Sequence, residues 1–134
     1  MFVTDVLEIQ LQRTGTESTI EWRGVLYAVL EAAATLLNIE RDEIDGTVYK
    51  RDNGAIRLVV FDTVPGGAGF ALQIAERVPM IMHGALRHVD TDCCGPETSC
   101  YRCLRTYANE WYHDELKRGR ALRQLQMILG IAPA

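Results

Sequence analysis

Four cysteines fall within eleven consecutive positions of this chain of 134 residues, and the rest of the sequence contains none. They are Cys93, Cys94, Cys100 and Cys103. Disulfide frameworks usually spread their cysteines along a secreted chain, where they close long loops. The first ten residues carry two acidic residues and no basic one, so we expect no secretory signal. The sequence therefore predicts a metal-binding knuckle at 93–103 in a reducing, cytoplasmic compartment.

Thiolates are the ligands of closed, tetrahedral zinc sites, and Zn²⁺ is the expected cofactor. The spacing of Cys100 and Cys103 lets two sulfurs reach one ion from a single turn. Cys93 and Cys94 are adjacent, and neighbouring side chains tend to diverge. Gly95 follows Cys94 and lets the backbone turn so that N–H groups can point at its sulfur, so we expect Cys94 to be the stronger ligand. Either both residues bind, or Cys94 alone binds and the fourth ligand is one of Asp92, His88 and His113.

Two other interpretations of the cluster stay open at this point. The four thiols could be free, buried cysteines that bind nothing. Alternatively, the Cys-x-x-Cys pair could be redox-active, although thioredoxin-like motifs occur in a βαβ context that the surrounding pattern does not indicate.

Apolar spacing predicts a single α+β domain over residues 1–134, with a small antiparallel sheet of about three strands and three to four helices. Strands are expected at 3–11, 47–51 and 55–62, with turns at Asp45-Gly46 and Asn53-Gly54. Helices are expected at 20–38, at 70–88 and after the knuckle. Tyr107 and Trp111 follow Cys103 at helical spacing, so we expect both rings in the core.

Charge and hydropathy exclude some classes of protein. The net charge of −4 argues against a dedicated nucleic-acid clamp, and no apolar run is long enough to span a membrane. Through position 94 the chain has eight basic and fourteen acidic residues, whereas after it there are six basic and four acidic ones. We expect this basic carboxyl-terminal stretch either to be a solvated helix face or to contact phosphates or an acidic partner.

A glycine-rich segment, FDTVPGGAGF at 61–70, joins a predicted strand to a predicted helix. Backbone N–H groups at such a helix start can bind an anion, but glycine also permits a tight turn without binding anything. The segment matches neither the dinucleotide-binding pattern G-x-G-x-x-G nor a Walker loop that ends in Gly-Lys-Ser/Thr. The candidate residues for contact with an anion or a partner are Gly66, Gly67, Gly69, Arg102 and Arg105.

Several segments together resemble a known family. They are DVLEIQL, LYAVLEAAATLLNI, DGTVY, FDTVPGGAGF and CCGPETSCYRCLRTYANEWYHDELKRGRAL. They resemble the zinc-binding domain, formerly a domain of unknown function, at the carboxyl terminus of MrfA-type DEAD/DEAH-box helicases. The same segments are similar to the carboxyl-terminal part of DISARM DrmB-like proteins.

The resemblance implies a zinc ion held by cysteines and a helicase or DISARM-type subunit as partner, in cis or in trans. It also implies a role in DNA repair or phage defence, with at most weak contact to DNA. Cys94, Cys100 and Cys103 match the ligand positions of the family. The first ligand departs from the pattern, because the expected Cys-x-Cys would place a cysteine where this chain has Asp92.

The sequence contains no Walker lysine and no DEAD/DEAH box, so we expect a non-catalytic accessory domain. A rival hypothesis is a small metal- or thiol-dependent enzyme. It would use Cys93 or Cys94 together with His113 and Asp62.

Overall fold

The computed structural model describes residues 6–11, 19–50, 56–63 and 69–130 of the chain. Within these residues, three β-strands and four α-helices confirm the α+β class. The strands are β1 (Val6–Leu11), β2 (Ile44–Lys50) and β3 (Ile56–Asp62), and the helices are α1 (Thr19–Leu37), α2 (Phe70–Ala75), α3 (Val78–Val89) and α4 (Arg118–Leu129).

The three strands form an antiparallel sheet in the order β1-β3-β2. Strand β3 lies in the middle, as its nearly continuous apolar run predicts. Its side chains alternate, and Ile56, Leu58, Val60 and Asp62 are the buried set. Because successive residues of a strand face opposite sides, one face of the sheet packs on the core.

Helix α1 is the centre of the core and packs against β2, α3 and α4. The sequence predicts an amphipathic helix with one apolar stripe, but residues 24–30 are buried without a break. The reason is that α1 has the sheet on one side and two helices on the other. A helix enclosed in this way has no solvent-facing side in its middle turns.

Strand β2 begins three residues earlier than predicted and includes the expected Asp45-Gly46 turn. Gly46 serves close packing instead. A Cβ atom at this position would lie 2.6 Å from the carbonyl oxygen of Val59 and 2.9 Å from a methyl carbon of Leu26. Only glycine therefore lets α1 approach the strands this closely.

The predicted helix at 70–88 is divided into α2 and α3. Pro79 lies in the first turn of α3, where its missing N–H group costs nothing. The apolar spacing continues across the break, and this is why periodicity alone does not reveal two helices.

The prediction that Tyr107 and Trp111 are core residues is wrong. Residues Tyr107–Glu115 form 3-10 turns, and the two rings are 85% and 94% exposed. Residues three apart share a face in 3-10 geometry, so the four-residue spacing that predicts burial in an α-helix no longer applies. Trp22, by contrast, is fully buried in α1.

Of the glycine-rich segment and the Asn53-Gly54 turn, the structure describes only the two ends of the first. Gly69 has φ of 81° and precedes α2, a left-handed conformation that suits glycine. Gly66, Gly67 and the Asn53-Gly54 turn lie outside the described residues. Among the described helices, none combines the length and apolar character needed to cross a bilayer.

We predict that Leu30→Ala lowers the free energy of unfolding by about 2–5 kcal/mol, because it removes a buried side chain and leaves a cavity. Leu30 in α1 is 0% exposed. The matched control is Leu72→Ala in α2, a leucine that is 60% exposed, and we expect a change within about 0.5 kcal/mol. Urea unfolding followed by circular dichroism gives both values. Equal losses in the two variants would contradict this arrangement of the core.

Candidate metal centre

The cysteines lie in the loop between the end of α3 and the 3-10 segment. Cys93 and Cys94 follow α3 closely, and Cys100 and Cys103 flank a tight turn. In this turn the Cys100 carbonyl oxygen accepts hydrogen bonds from three successive N–H groups, at 3.2, 3.1 and 3.0 Å. The turn places both sulfurs of the Cys-x-x-Cys pair on the same side.

The four sulfur atoms have the spacing of a tetrahedral metal site. The Sγ atoms of Cys94 and Cys103 are 3.8 Å apart, those of Cys100 and Cys103 are 3.8 Å apart, and those of Cys93 and Cys94 are 3.9 Å apart. All four sulfurs lie within 4.8 Å of one another. Zinc–sulfur bonds of about 2.3 Å place tetrahedral ligands roughly 3.8 Å apart. The cluster therefore fits one zinc ion.

Cys93 and Cys94 do converge, although neighbouring side chains are expected to diverge. The loop before Cys93 is bent, and the Cys93 N–H group donates to the Thr91 hydroxyl at 3.3 Å. No histidine or carboxylate joins the group of four among the described residues. His88 donates instead to the Cys103 carbonyl oxygen at 2.6 Å, and Asp92 is exposed.

The thiols differ in how readily they ionise. Burial raises the pKa of the Cys103 thiol well above its usual range, and burial also raises the pKa of Cys94. Burial opposes ionisation of Cys100 too, but hydrogen bonds from the Arg102 backbone and from neighbouring cysteines outweigh it and lower the pKa of Cys100 to about 7. A divalent cation is what would stabilise all four thiolates together.

Arg118, at the start of α4, ties the first cysteine pair to the end of α3. Its guanidinium donates to the Val89 carbonyl oxygen at 3.0 Å and to the Cys94 carbonyl oxygen at 2.6 Å. The side chain is only 7% exposed, so these bonds are shielded from water. Charge-assisted bonds of this kind fix the loop more firmly than neutral ones.

The backbone of α4 supports the same loop. The Arg118 N–H group donates to the Thr98 carbonyl oxygen and the Gly119 N–H group to that of Pro96, both at 2.8 Å. A Cβ atom at position 119 would lie 2.7 Å from the Pro96 Cβ and 2.8 Å from its carbonyl oxygen. Glycine is therefore required for this close approach. The roles of Arg118 and Gly119 cannot be predicted from the sequence, because no local motif indicates a contact made across a loop.

Asp62 and His113, the partners proposed for a thiol enzyme, are engaged elsewhere. The Asp62 carboxylate accepts from the N–H groups of Phe70 and Ala71 at 3.3 and 3.0 Å, so it caps α2. His113 bonds to the Thr106 carbonyl oxygen and to the Asn109 side chain, both at 2.9 Å. The structure does not bring either residue into the cysteine cluster.

Of the candidate anion contacts, Gly69, Arg102 and Arg105 are described, and Gly69 lies in a different segment of the chain from the two arginines. Arg105 donates from Nε to the Ser99 hydroxyl at 2.9 Å, a bond that braces the knuckle. Arg102 is exposed beside the cysteines, whereas Gly69 precedes α2.

We predict that Gly119→Ala destabilises the knuckle, because its Cβ atom would collide with Pro96 backbone atoms. We expect a loss of about 1–3 kcal/mol in unfolding free energy and weaker retention of zinc under chelator challenge. Gly95→Ala is the control, since a Cβ there meets only a Thr98 methyl carbon at 3.7 Å. Denaturation and competition with a chromogenic chelator measure both effects. If Gly95→Ala proves as harmful as Gly119→Ala, the close contact is not the cause.

Comparisons with known proteins agree with this geometry. The family model of the MrfA Zn-binding domain matches residues 25–104, which is more than half of the chain. A search of curated proteins finds no match.

Among solved structures, the chain is similar to the one titled "Crystal Structure of DUF1998 helicase MrfA bound to DNA". The TM-score is 0.60 at 20% sequence identity, so the likeness concerns the fold. The match covers 92% of this chain and 16% of the helicase chain.

The family match begins within α1 and ends one residue after Cys103, so it contains all four cysteines. Together with the tetrahedral spacing of the sulfurs, it confirms zinc as the cofactor. The chain belongs to the family of MrfA Zn-binding domains.

Proposed function

We propose that this chain is a non-catalytic zinc domain that docks a helicase motor, in cis or in trans, and helps to guide DNA. The observation that carries the proposal is the cluster of four sulfurs at tetrahedral spacing. Structural zinc sites have four protein ligands, whereas catalytic ones leave a position open for water or substrate. A closed site points to a role in holding the fold.

We assign all four ligands to cysteine: Cys93, Cys94, Cys100 and Cys103. The Cys93 sulfur lies 3.9 Å from that of Cys94, as close as a zinc ligand should be. Four thiolates complete the shell, and neither Asp92 nor a histidine is needed. A thiol enzyme is less well supported, because His113 and Asp62 have other hydrogen-bond partners.

The motor must lie outside these 134 residues. The sequence contains neither a Walker lysine nor a DEAD/DEAH box. The match to the helicase structure covers only 16% of the helicase chain. The partner is then another part of the same polypeptide, a helicase subunit or a DISARM-type subunit. DNA repair or phage defence in the cytoplasm is the setting that we propose, since a reducing compartment keeps zinc-binding cysteines from forming disulfides.

The outer face of the sheet supports docking. Phe61 and Val59 alternate with the buried residues of β3 and so lie on the opposite face. Phe61 pairs with Val6 of β1, and on β2 Tyr49 lies on the same face. Val6 and Tyr49 are 56% and 57% exposed, and none of the four belongs to the hydrophobic core. The same face carries an ion pair between Arg57 and Glu8 at 2.9 Å, so a partner docked there would meet apolar side chains beside charged ones.

The ligand assignment predicts that Cys93→Ser and Cys94→Ser each lose the bound zinc, because either change leaves three thiolates. Since metal binding contributes folding free energy, both variants should also lose their cooperative thermal transition. Asp92→Asn is the matched control and should keep one zinc per chain. Metal analysis of the three proteins, purified without chelator, gives the answer. Zinc retained in Cys93→Ser but lost in Asp92→Asn would show that the carboxylate is the fourth ligand.

Docking predicts that Val6→Asp and Tyr49→Asp abolish binding of this chain to the motor when the motor is supplied as a separate protein. A buried carboxylate without a partner is costly at an apolar interface. Leu72→Asp, on the exposed side of α2, should bind like the wild type. Zinc content and thermal transitions must stay unchanged in all three. If the wild-type chain does not bind the motor, or if it hydrolyses ATP alone, the proposed function is wrong.

A further inference from the structure

A cleft of about 480 Å³ lies against the zinc knuckle, and Cys93 belongs to its wall. The lining residues are Arg87, His88, Thr91, Asp92, Cys93 and Arg102. Clefts that hold small organic ligands measure about 300–1,000 Å³, so this one suits a molecule of the size of a short peptide. Of the four cysteines, all within the described part of the chain, Cys93 is the one that lines the cleft. A reagent that enters the cleft therefore reaches Cys93 before the other three.

Three charged side chains surround the same opening. Arg87 in the last turn of α3, Asp92 and Arg102 are all exposed. None of them has a side-chain hydrogen bond or an ion pair with any other described residue. The cleft thus offers two guanidinium groups and one carboxylate that are available to a ligand.

Local hydrogen bonds hold the wall of the cleft in place. The His88 ring bonds to the Cys103 carbonyl oxygen at 2.6 Å, and the Thr91 hydroxyl accepts from the Cys93 N–H group at 3.3 Å. Asp92 and Cys93 are adjacent in the chain, so a carboxylate and a sulfur leave the backbone at neighbouring positions. A site that is ordered before binding loses little entropy when a ligand enters it.

We propose that Cys93 is a site of thiol–disulfide exchange with a small anionic disulfide, of the chemical class of glutathione disulfide. Each half of such a molecule carries two carboxylates, one ammonium group and one sulfur. The cleft presents the complementary groups: Arg87 and Arg102 face the carboxylates, Asp92 the ammonium group and Cys93 the sulfur. A guanidinium group is the side chain that best matches the planar geometry of a carboxylate.

The exchange balances without any further reagent. The Cys93 thiolate attacks one sulfur of the small disulfide, the bond between the two sulfurs of the reagent breaks, and the other half leaves as a thiolate. The Cys93 sulfur is oxidised and the departing sulfur is reduced. The product is a mixed disulfide in which Cys93 no longer offers a negatively charged ligand.

Loss of this ligand should release the zinc ion, since three thiolates then remain. This consequence rests on the proposed four-cysteine ligand set, whereas the covalent step does not. Metal binding contributes folding free energy, so the modified knuckle should also lose its thermal transition. A reducing agent and added zinc should restore both.

The test compares two small disulfides of opposite charge on the zinc-loaded chain. Glutathione disulfide has the carboxylates that the cleft fits, whereas cystamine has only ammonium groups. Samples are stopped early with a thiol-blocking reagent, and fragmentation of their peptides by mass spectrometry identifies the first cysteine to react. A chromogenic chelator measures the zinc released. We expect the first glutathionyl group on Cys93, with zinc released at the same rate.

Charge variants test whether the cleft selects the reagent. Arg87→Ala and Arg102→Ala should each slow glutathione disulfide by about two- to fivefold, the size expected for exposed ion pairs, without slowing cystamine. Asp92→Asn should slow cystamine instead. Arg123→Ala, an exposed arginine on α4, is the matched control and should change neither rate. Added salt should reduce the differences, because it screens exposed charges.

The site is assigned by mass and not by Cys93→Ser, because that variant is expected to lose zinc. Three results would overturn the inference: no adduct with glutathione disulfide, a first adduct on Cys94 or Cys100, or equal ratios of the two rates in the wild type, Arg87→Ala and Arg102→Ala. An adduct on Cys93 without zinc release would support the exchange site and contradict the four-cysteine ligand set. Failure of the inference leaves the proposed function standing, since zinc content and motor binding are measured separately.

Discussion

The convergence of four sulfur atoms on one centre is the constraint on which the carboxyl-terminal half of the fold depends. Residues 90–106 form turns and bends without a helix or strand, and only a few of their side chains are buried. Such a segment buries too little apolar surface to offset the entropy of ordering it. Structural zinc contributes roughly 10–16 kcal/mol in zinc-finger peptides, a contribution large enough to offset much of that entropy. The metal thereby fixes the path from α3 to α4.

The surrounding hydrogen bonds extend this local order to the rest of the molecule. Arg118 joins the cysteine loop to the end of α3, and α3 packs on α1. The same metal-ordered turn leads into the 3-10 segment that carries Trp111 and its neighbouring rings. Rings that stay exposed need such a scaffold, because they contribute almost no packing energy of their own.

The sequence predicts those features whose signal is local. The cysteine spacing indicates the metal, the apolar run of β3 indicates a central strand, and the periodicity of α4 indicates its helix. Arg118 escapes sequence reasoning because its carbonyl partners lie 24 and 29 residues earlier in the chain. Trp111 is predicted wrongly for another reason. Its spacing is that of an α-helix, but the capping bonds between Thr106 and Asn109 begin a 3-10 segment instead.

Gly46 also determines which residues of β2 can face which residues of β3. A shift of the pairing by one residue would move Asp45 or Thr47 into the place where α1 presses on the sheet, and both carry a Cβ atom. Alternative pairings of the two strands are therefore excluded by the helix that packs on them. A larger residue at position 46 would therefore disturb the alignment of the strands and the seating of α1 together.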